Sequence, residues 1–429
     1  MKKSLAILIL SLTAYACAKD SESPTPMNPP PIGDTSYLRD IQPIIERSCV
    51  SCHRPDGIGP FSLDTPEKVI ALSAIIKPAV ESRRMPPFMA AQNCTPYKHD
   101  IRLSDEEIAL ISKWVDDGSP MGDAEDEQHA ENPRKAEINR DVLMDIGGPF
   151  DATIMESDHY RCFILDPQLT EDVDVTGYEV IPDNDRIVHH ALAYAIPANR
   201  MAEVQMLDDN DPGLGYTCFS NNTVSTDQQI AAWVPGQVAR QLPDGIALRI
   251  EAGTKILIQI HYNLLASGDK PPLDNTQLAL QTQSPGQANV ARTYSVLQPN
   301  LDIPADTKDI VAENTITIPR GGDGMKIHAI TGHMHQLGQA FRMEVKRKDG
   351  TKECLLDIPD WDFDWQQSFE LAEAMTLNEG DELKVRCVFD NTQANQPIID
   401  GEQVQSRDVQ WGEGSLDEMC IGYLLGTLR

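Results

Sequence analysis

Hydrophobic and polar positions follow two different rhythms along this chain. From residue 35 to about 122 the apolar residues recur at helical spacing: Ile41, Ile44 and Ile45 make one face, and Ile108, Ile111, Trp114 and Val115 another. The punctuation agrees. Thr65-Pro66 reads as a cap followed by proline in the first turn, Ser104-Asp105-Glu106-Glu107 as a capping box, and Gly118 as a stop. From about 145 onward helical periodicity is scarce, and short β-rich runs alternate with turns. The clearest are Lys255-Ile256-Leu257-Ile258-Gln259-Ile260-His261-Tyr262 and Phe341-Arg342-Met343-Glu344-Val345, and Asp349-Gly350 is a hairpin signal. The pattern predicts a small all-α domain over 35–122, then two all-β antiparallel, jelly-roll-like sandwiches over 145–284 and 285–429. Ser284-Pro285-Gly286 marks the break between them, and residues 123–144, acidic and then mixed, read as a linker.

The first residues add a location. Lys2 and Lys3 precede a short apolar run, Leu5 to Leu12, which is too short to span a bilayer and reads as an export signal ending near residue 17. Ala14-Tyr15-Ala16-Cys17 is similar to a bacterial lipobox, which predicts a lipid anchor at Cys17, with ordinary cleavage as the alternative. Ala18 after the cysteine is compatible with the outer membrane. Residues 18–34, rich in proline, form a stiff tether that would hold an exported, periplasmic or cell-surface body away from the membrane. The net charge of −30 argues against a nucleic-acid partner, which needs a basic footprint. Of nine cysteines, Cys17 goes to lipid or is removed, and export exposes the rest to an oxidising compartment.

Two sets of residues carry chemistry. Cys49-Val50-Ser51-Cys52-His53 is C-x-x-C-H, the spacing of covalent c-type haem attachment, with His53 as one axial ligand. Met85-Pro86-Pro87 follows 32 residues after His53, and Met85 is the natural sixth ligand. Loop and flanking helices resemble class I mono-haem cytochromes c, which implies one covalent haem c that moves electrons. The second set is spread over four segments: His189-His190, Gln259-Ile260-His261, His333-Met334-His335, and Met419-Cys420. Residues i and i+2 of a strand point the same way, so His333 and His335 can clasp one ion. Met419 adds a thioether, which favours copper over zinc. His189, His190 and His261 would give an all-imidazole site. Adjacent histidines on a regular strand face opposite ways, so this second site demands a bulge or a strand end.

The four segments in this order resemble the copper type II, ascorbate-dependent monooxygenases, the family of peptidylglycine α-hydroxylating monooxygenase and dopamine β-monooxygenase. The resemblance covers roughly residues 145–429 and implies two β-sandwiches facing each other across a solvent-filled gap. It implies two copper ions: His189, His190 and His261 on the electron-transfer copper, and His333, His335 and Met419 on the copper where dioxygen is activated. It implies disulfides Cys162–Cys218 and Cys387–Cys420, leaving Cys94 and Cys354 as a remaining pair. Gln259 and Tyr423 match positions near the substrate cleft. Peptide-amidating members carry an arginine where this chain has Thr331, so a C-terminal glycine peptide is a poor expectation as substrate.

The expectation is therefore a copper-dependent monooxygenase hydroxylating a C–H bond of a small molecule with O2. Its electrons would come through the fused haem, from a redox donor such as a cytochrome or from ascorbate. The alternative is a haem and copper electron-transfer or copper-binding module that does not oxygenate.

Overall fold

The computed structural model describes residues 35–428 apart from 56, 58, 132–136, 155–157, 219–227, 235–236, 265–272, 400–401, 413 and 415. The export signal, Cys17 and the Pro-rich tether lie outside the described residues. The helical region contains Gln42–Ser48, Pro66–Glu81 and Asp105–Asp116. Thr65 caps the second, its hydroxyl accepting from the Lys68 N–H. Ser104 and Glu107 form the reciprocal capping box of the third, and Glu107 also holds Arg47 at 2.8 Å. Ile41, Ile44, Ile45, Ile111 and Trp114 meet in one small core.

Among the described residues the remainder is mostly β. A nine-stranded sheet runs in the order Val142–Asp145, Gln277–Gln283, Val173–Ile181, Ile246–Ile250, Asn289–Leu297, Ile421–Thr427, Met325–His333, Ser368–Leu377, with Arg240–Gln241 added to Val173–Ile181. A five-stranded sheet (Tyr216–Thr217, Asp158–Leu165, Ile256–Asn263, Val188–Ala195, Gln228–Trp233) covers its first half. A four-stranded sheet (Ile310–Thr317, Glu382–Phe389, Gly338–Lys346, Lys352–Ile358) covers its second. The two sandwiches are thus not separate bodies. A short parallel pairing, Asn289 with Ile246 and Val290 with Ala247, carries one sheet across the turn at Ser284-Pro285-Gly286. The linker read over 123–144 gives way to strand at Val142, which pairs with Leu280.

Alternation decides which side chains face each core. On Ile256–Asn263 the residues Ile256, Ile258, Ile260 and Tyr262 enter the first core, so Gln259 and His261 point to the other face. On Met325–His333, Ile327 and Ile330 enter the second core, and the backbone irregularity between Ile327 and Ala329 resets the phase before the histidines. Beneath them Gly332 lies opposite Gly422. A Cβ on Gly332 would stand 2.7 Å from the Phe341 ring, so glycine lets the four-stranded sheet approach closely.

Three disulfides close the fold: Cys94–Cys354, Cys162–Cys218 and Cys387–Cys420. The first pins the segment after the helical region's methionine loop to the second sandwich. Around it Ala91 N–H donates to Asp357 C=O, Lys98 N–H to Glu370 C=O and Ala372 N–H to Pro96 C=O. Tyr97 bridges to Leu371, its hydroxyl donating to Leu355 C=O at 2.8 Å.

Gly332→Ala is predicted to lower stability by about 1–3 kcal/mol, the usual cost of overpacking a close contact. Urea unfolding checks this; an unchanged midpoint would show that Phe341 yields freely.

Candidate metal centre

The strand carrying the adjacent histidines is not regular. His261 pairs with His190, yet its neighbour Tyr262 pairs with Val188, so His189 is an extra residue in a bulge. The bulge turns both rings of the pair to one side. The three Nδ1 atoms then converge, His189 to His261 at 3.2 Å, His189 to His190 at 3.3 Å and His261 to His190 at 3.4 Å. Each Nδ1–H can point at only one acceptor, so hydrogen bonding alone cannot satisfy this triangle. Three nitrogens about 2.0–2.1 Å from one ion at tetrahedral angles would stand about 3.3–3.4 Å apart, which is the spacing seen. Tyr160 stacks flat on His261, with ring centroids 4.3 Å apart and 5° between planes.

The loop before the bulge hangs on a buried carboxylate. Asp274 accepts from the Tyr262 hydroxyl at 2.8 Å, from Thr276, and from the Asp183 and Asn184 N–H groups. Burial raises its pKa, and those donors oppose the shift.

His333 and His335 show the opposite donor atoms. His333 Nδ1 lies 2.6 Å from Gln366 Oε1, whose own amide nitrogen donates to Phe363 C=O. His335 Nδ1 lies 3.0 Å from Asp417 C=O. Both partners are acceptors, so each Nδ1 carries the proton and each Nε2 keeps a free lone pair. Glu418, fully buried, accepts from three backbone N–H groups: His335 at 2.9 Å, Leu337 at 2.6 Å and Met419 at 3.2 Å. One side chain thus ties the H-x-H turn to the methionine turn, and the Cys387–Cys420 disulfide anchors the same turn. Burial pushes the Glu418 carboxyl up to about 8, against the pull of its three donors.

Both histidine sets open on one cavity of about 300 Å3, whose wall also carries Met419, Tyr423, Thr331, Gln259 and Phe363. Thr331 and Tyr423 are cross-strand partners. Gln259 is buried, with its amide 3.7 Å from Cys218 Sγ. Phe363 stands between the sets, stacked on His189 (5.1 Å, 19°) and edge-on to His335 (6.2 Å, 89°). The gap expected between the sandwiches is bridged at this point by an aromatic ring. Burial lowers His190 well below the usual imidazole range, with the other histidines adding to the effect. It lowers His333 as well, and His335 to about 3. Such rings stay neutral, as metal ligands must be.

Residues 287–425 match the family model described as Copper type II ascorbate-dependent monooxygenase, C-terminal domain. The chain is also 24% identical over 376 residues to DBH-like monooxygenase protein 1 of Gallus gallus, covering 77% of this chain and 56% of that protein. Against the Homo sapiens protein of the same name it is 24% identical over 266 residues, covering 56% of this chain and 39% of that one. The chain therefore spans about half the length, or less, of the curated relatives it matches. Among solved structures, the glycosylasparaginase PNGase F of Flavobacterium meningosepticum is matched at TM-score 0.29 and 12% identity. It covers 64% of this chain and 90% of that one. Bacteriophage PM2 capsid protein P2 is matched at 0.26 and 9%, covering 63% and 98%. Likenesses this slight bear on neither fold nor function. The copper-monooxygenase match covers the second sandwich, with His333, His335, Met419, Tyr423 and Thr331 inside it.

In the helical region Cys49 and Cys52 are unpaired, whereas the other six described cysteines form disulfides. His53 Nδ1 lies 3.0 Å from Phe61 C=O, which leaves its Nε2 free, and Phe61 stacks on the ring at 4.8 Å. Met85 is half-buried in the turn after Pro66–Glu81, its N–H donating to Ala79 C=O. His129 is exposed against Glu46, and His328 lies against Thr427, so both stand outside the cavity.

Four residues escaped the sequence reading: Tyr160, Phe363, Gln366 and Glu418. Trp361-Asp362-Phe363-Asp364-Trp365, with an aromatic at every second position, was a signal for Phe363. Glu418 beside Met419 carried none, since only its burial makes it structural.

Glu418→Ala is predicted to cost about 3 kcal/mol or more, since three buried N–H groups lose their acceptor. Metal titration of this variant should show loss at His333, His335 and Met419 while the three-imidazole set still binds. Equal retention at both sets would contradict the assigned role. Unfolded imidazoles take up protons near their ordinary pKa of about 6.5, whereas the buried rings do not, so below that value the unfolded state binds more protons. Metal-free protein should therefore lose thermal stability as pH falls from 7 to 5, the lowered His190, His333 and His335 outweighing the raised Glu418 carboxyl, whose contribution runs the other way, and His335→Gln should flatten that slope. A pH-independent melting temperature would count against neutral, buried ligands.

Proposed function

We propose that this chain is a copper-dependent monooxygenase that hydroxylates a C–H bond of a small molecule. The observation that carries the reading is that two histidine sets with opposite donor atoms face one cavity, with a methionine on the wall beside the second. Three Nδ1 donors make a closed, all-imidazole set suited to holding a copper that passes electrons. Two Nε2 donors and the Met419 thioether make a softer, more open set, suited to both copper states with room for a further ligand. Copper bound there would supply the one-electron chemistry for reducing dioxygen. The reaction balances as R–H plus O2, two electrons and two protons giving R–OH and water. Gln366 and Asp417 hold the tautomers, Glu418 holds the spacing of the two turns, and Tyr423, Thr331 and Gln259 line the space open to substrate. Threonine at 331 puts no cation at that position, and the cation on this wall is Arg240 instead, so recognition of a substrate carboxylate in the manner of the peptide-amidating members is not expected.

The helical region is the electron supply in this reading: Cys49 and Cys52 would hold one c-type haem covalently, and His53 and Met85 would ligate its iron. Two unpaired cysteines beside three formed disulfides support this. So does His53, whose protonated Nδ1 leaves Nε2 for iron. Burial pushes the Cys49 thiol up to about 12, which disfavours a charged thiolate at that position. An external cytochrome or ascorbate would reduce the haem or the copper. The disulfides fit an exported protein, and no described helix is long and apolar enough to cross a membrane. The anchor is proposed at Cys17, placing the body at the periplasmic or outer cell surface.

Copper-reconstituted protein is expected to carry two coppers per haem, and Met419→Ala to weaken one of them. Reduced enzyme supplied with 18O-labelled dioxygen should place one labelled atom in product across a panel of small hydrocarbons, amines and alcohols. One copper or none, or a preference for zinc, would overturn the reading in favour of a redox module.

A further inference from the structure

A second cavity, of about 470 Å3, lies on the far side of the copper cavity. Cys52 and Phe88 of the helical region line it, together with Trp365 and Phe369 of the second sandwich. Val234, Gln237, Arg240, Leu242, Gln367 and Ser368 line both cavities, so they are separated there by a single layer of residues. Cys52 is the member of the C-x-x-C-H segment on its wall.

One short segment has residues on the walls of both cavities. It begins with the single 3-10 turn Phe363–Trp365. Phe363 faces the copper cavity, stacked on His189 and edge-on to His335. Trp365, two residues on, lines the Cys52 cavity. Gln366 holds His333 at 2.6 Å, and Gln367 donates to the Pro87 carbonyl at 3.1 Å, in the Met85-Pro86-Pro87 loop. Two aromatic residues, one on the wall of each cavity, are thus joined by a single turn of backbone.

Resting on the haem–copper reading above, we propose that Phe363–Gln367 is the electron conduit between the two cavities. Trp365 is its entry on the Cys52 side and Phe363 its exit onto His189 of the three-imidazole set. The step moves one electron: ferrous haem becomes ferric, and Cu(II) held by His189, His190 and His261 becomes Cu(I). No bond or proton need change. The same Phe363 ring, edge-on to His335, also spans from the first histidine set to the second.

The test uses the full chain carrying haem and copper, held without oxygen. The haem is reduced in a flash by a photoexcited flavin. Its reoxidation is followed by absorbance, and the loss of Cu(II) by electron paramagnetic resonance. Trp365→Leu should slow reoxidation roughly tenfold or more, and Trp365→Phe should restore it to within roughly threefold. Haem spectrum, copper count and Cu(II) signal should stay as in the parent. Phe363→Leu, made separately, should slow the same step, and it serves if Trp365→Leu does not fold. Parent-like reoxidation in variants that retain both metals would overturn the conduit while leaving the oxygenase reading intact. Failure of the parent to bind haem or copper would overturn the reading, and the conduit with it.

Discussion

The arrangement depends on one constraint: two histidine sets carried by different sandwiches must face the same space. The parallel pairing of Ile246-Ala247 with Asn289-Val290 meets it, because it makes the sheets of the two halves one sheet. A flexible hinge at the 284–286 turn would leave the two faces free to drift apart. A continuous hydrogen-bonded ladder fixes their relative placement to within the stiffness of a β-sheet. The five-stranded sheet then presents His189, His190 and His261 on its face away from the first core, and the long sheet presents His333 and Tyr423 on the opposing wall.

Within that frame two buried carboxylates set the local geometry. Asp274 gathers the loop entering the His189 bulge and the strand carrying His261. Glu418 gathers the H-x-H turn and the methionine turn. Burying a carboxyl is costly unless its oxygens are satisfied, and each of these meets several donors. Both lie beside the elements that set the spacing of the imidazoles, which for the Nδ1 triangle is 3.2–3.4 Å. The third fixed point is covalent: Cys94–Cys354 staples the helical region to the second sandwich, so that its methionine loop lies against Gln367.

Much of this was legible in the sequence. The helical caps at Thr65 and Ser104, the strand through His261 and the hairpin at Asp349-Gly350 all rest on local pattern, and local pattern survives folding. The bulge at His189 was legible as a demand: two adjacent histidines cannot share a ligand set on a regular strand. The pairing of Cys94 with Cys354 could be reached only as a remainder, because nothing local links positions 260 apart. The continuity of the long sheet was hidden for the same reason, since a two-residue parallel contact leaves no periodicity. Phe363, Gln366 and Glu418 act through tertiary position alone. The solvent-filled gap implied by the family resemblance did not foresee an aromatic ring between the histidine sets.

The most direct test is anomalous diffraction at the copper edge from crystals of copper-loaded protein. Two peaks are predicted: one capping the Nδ1 triangle of His189, His190 and His261, the other within bonding distance of His333 Nε2, His335 Nε2 and the Met419 sulfur. A single peak, or peaks placed away from these atoms, would contradict the account.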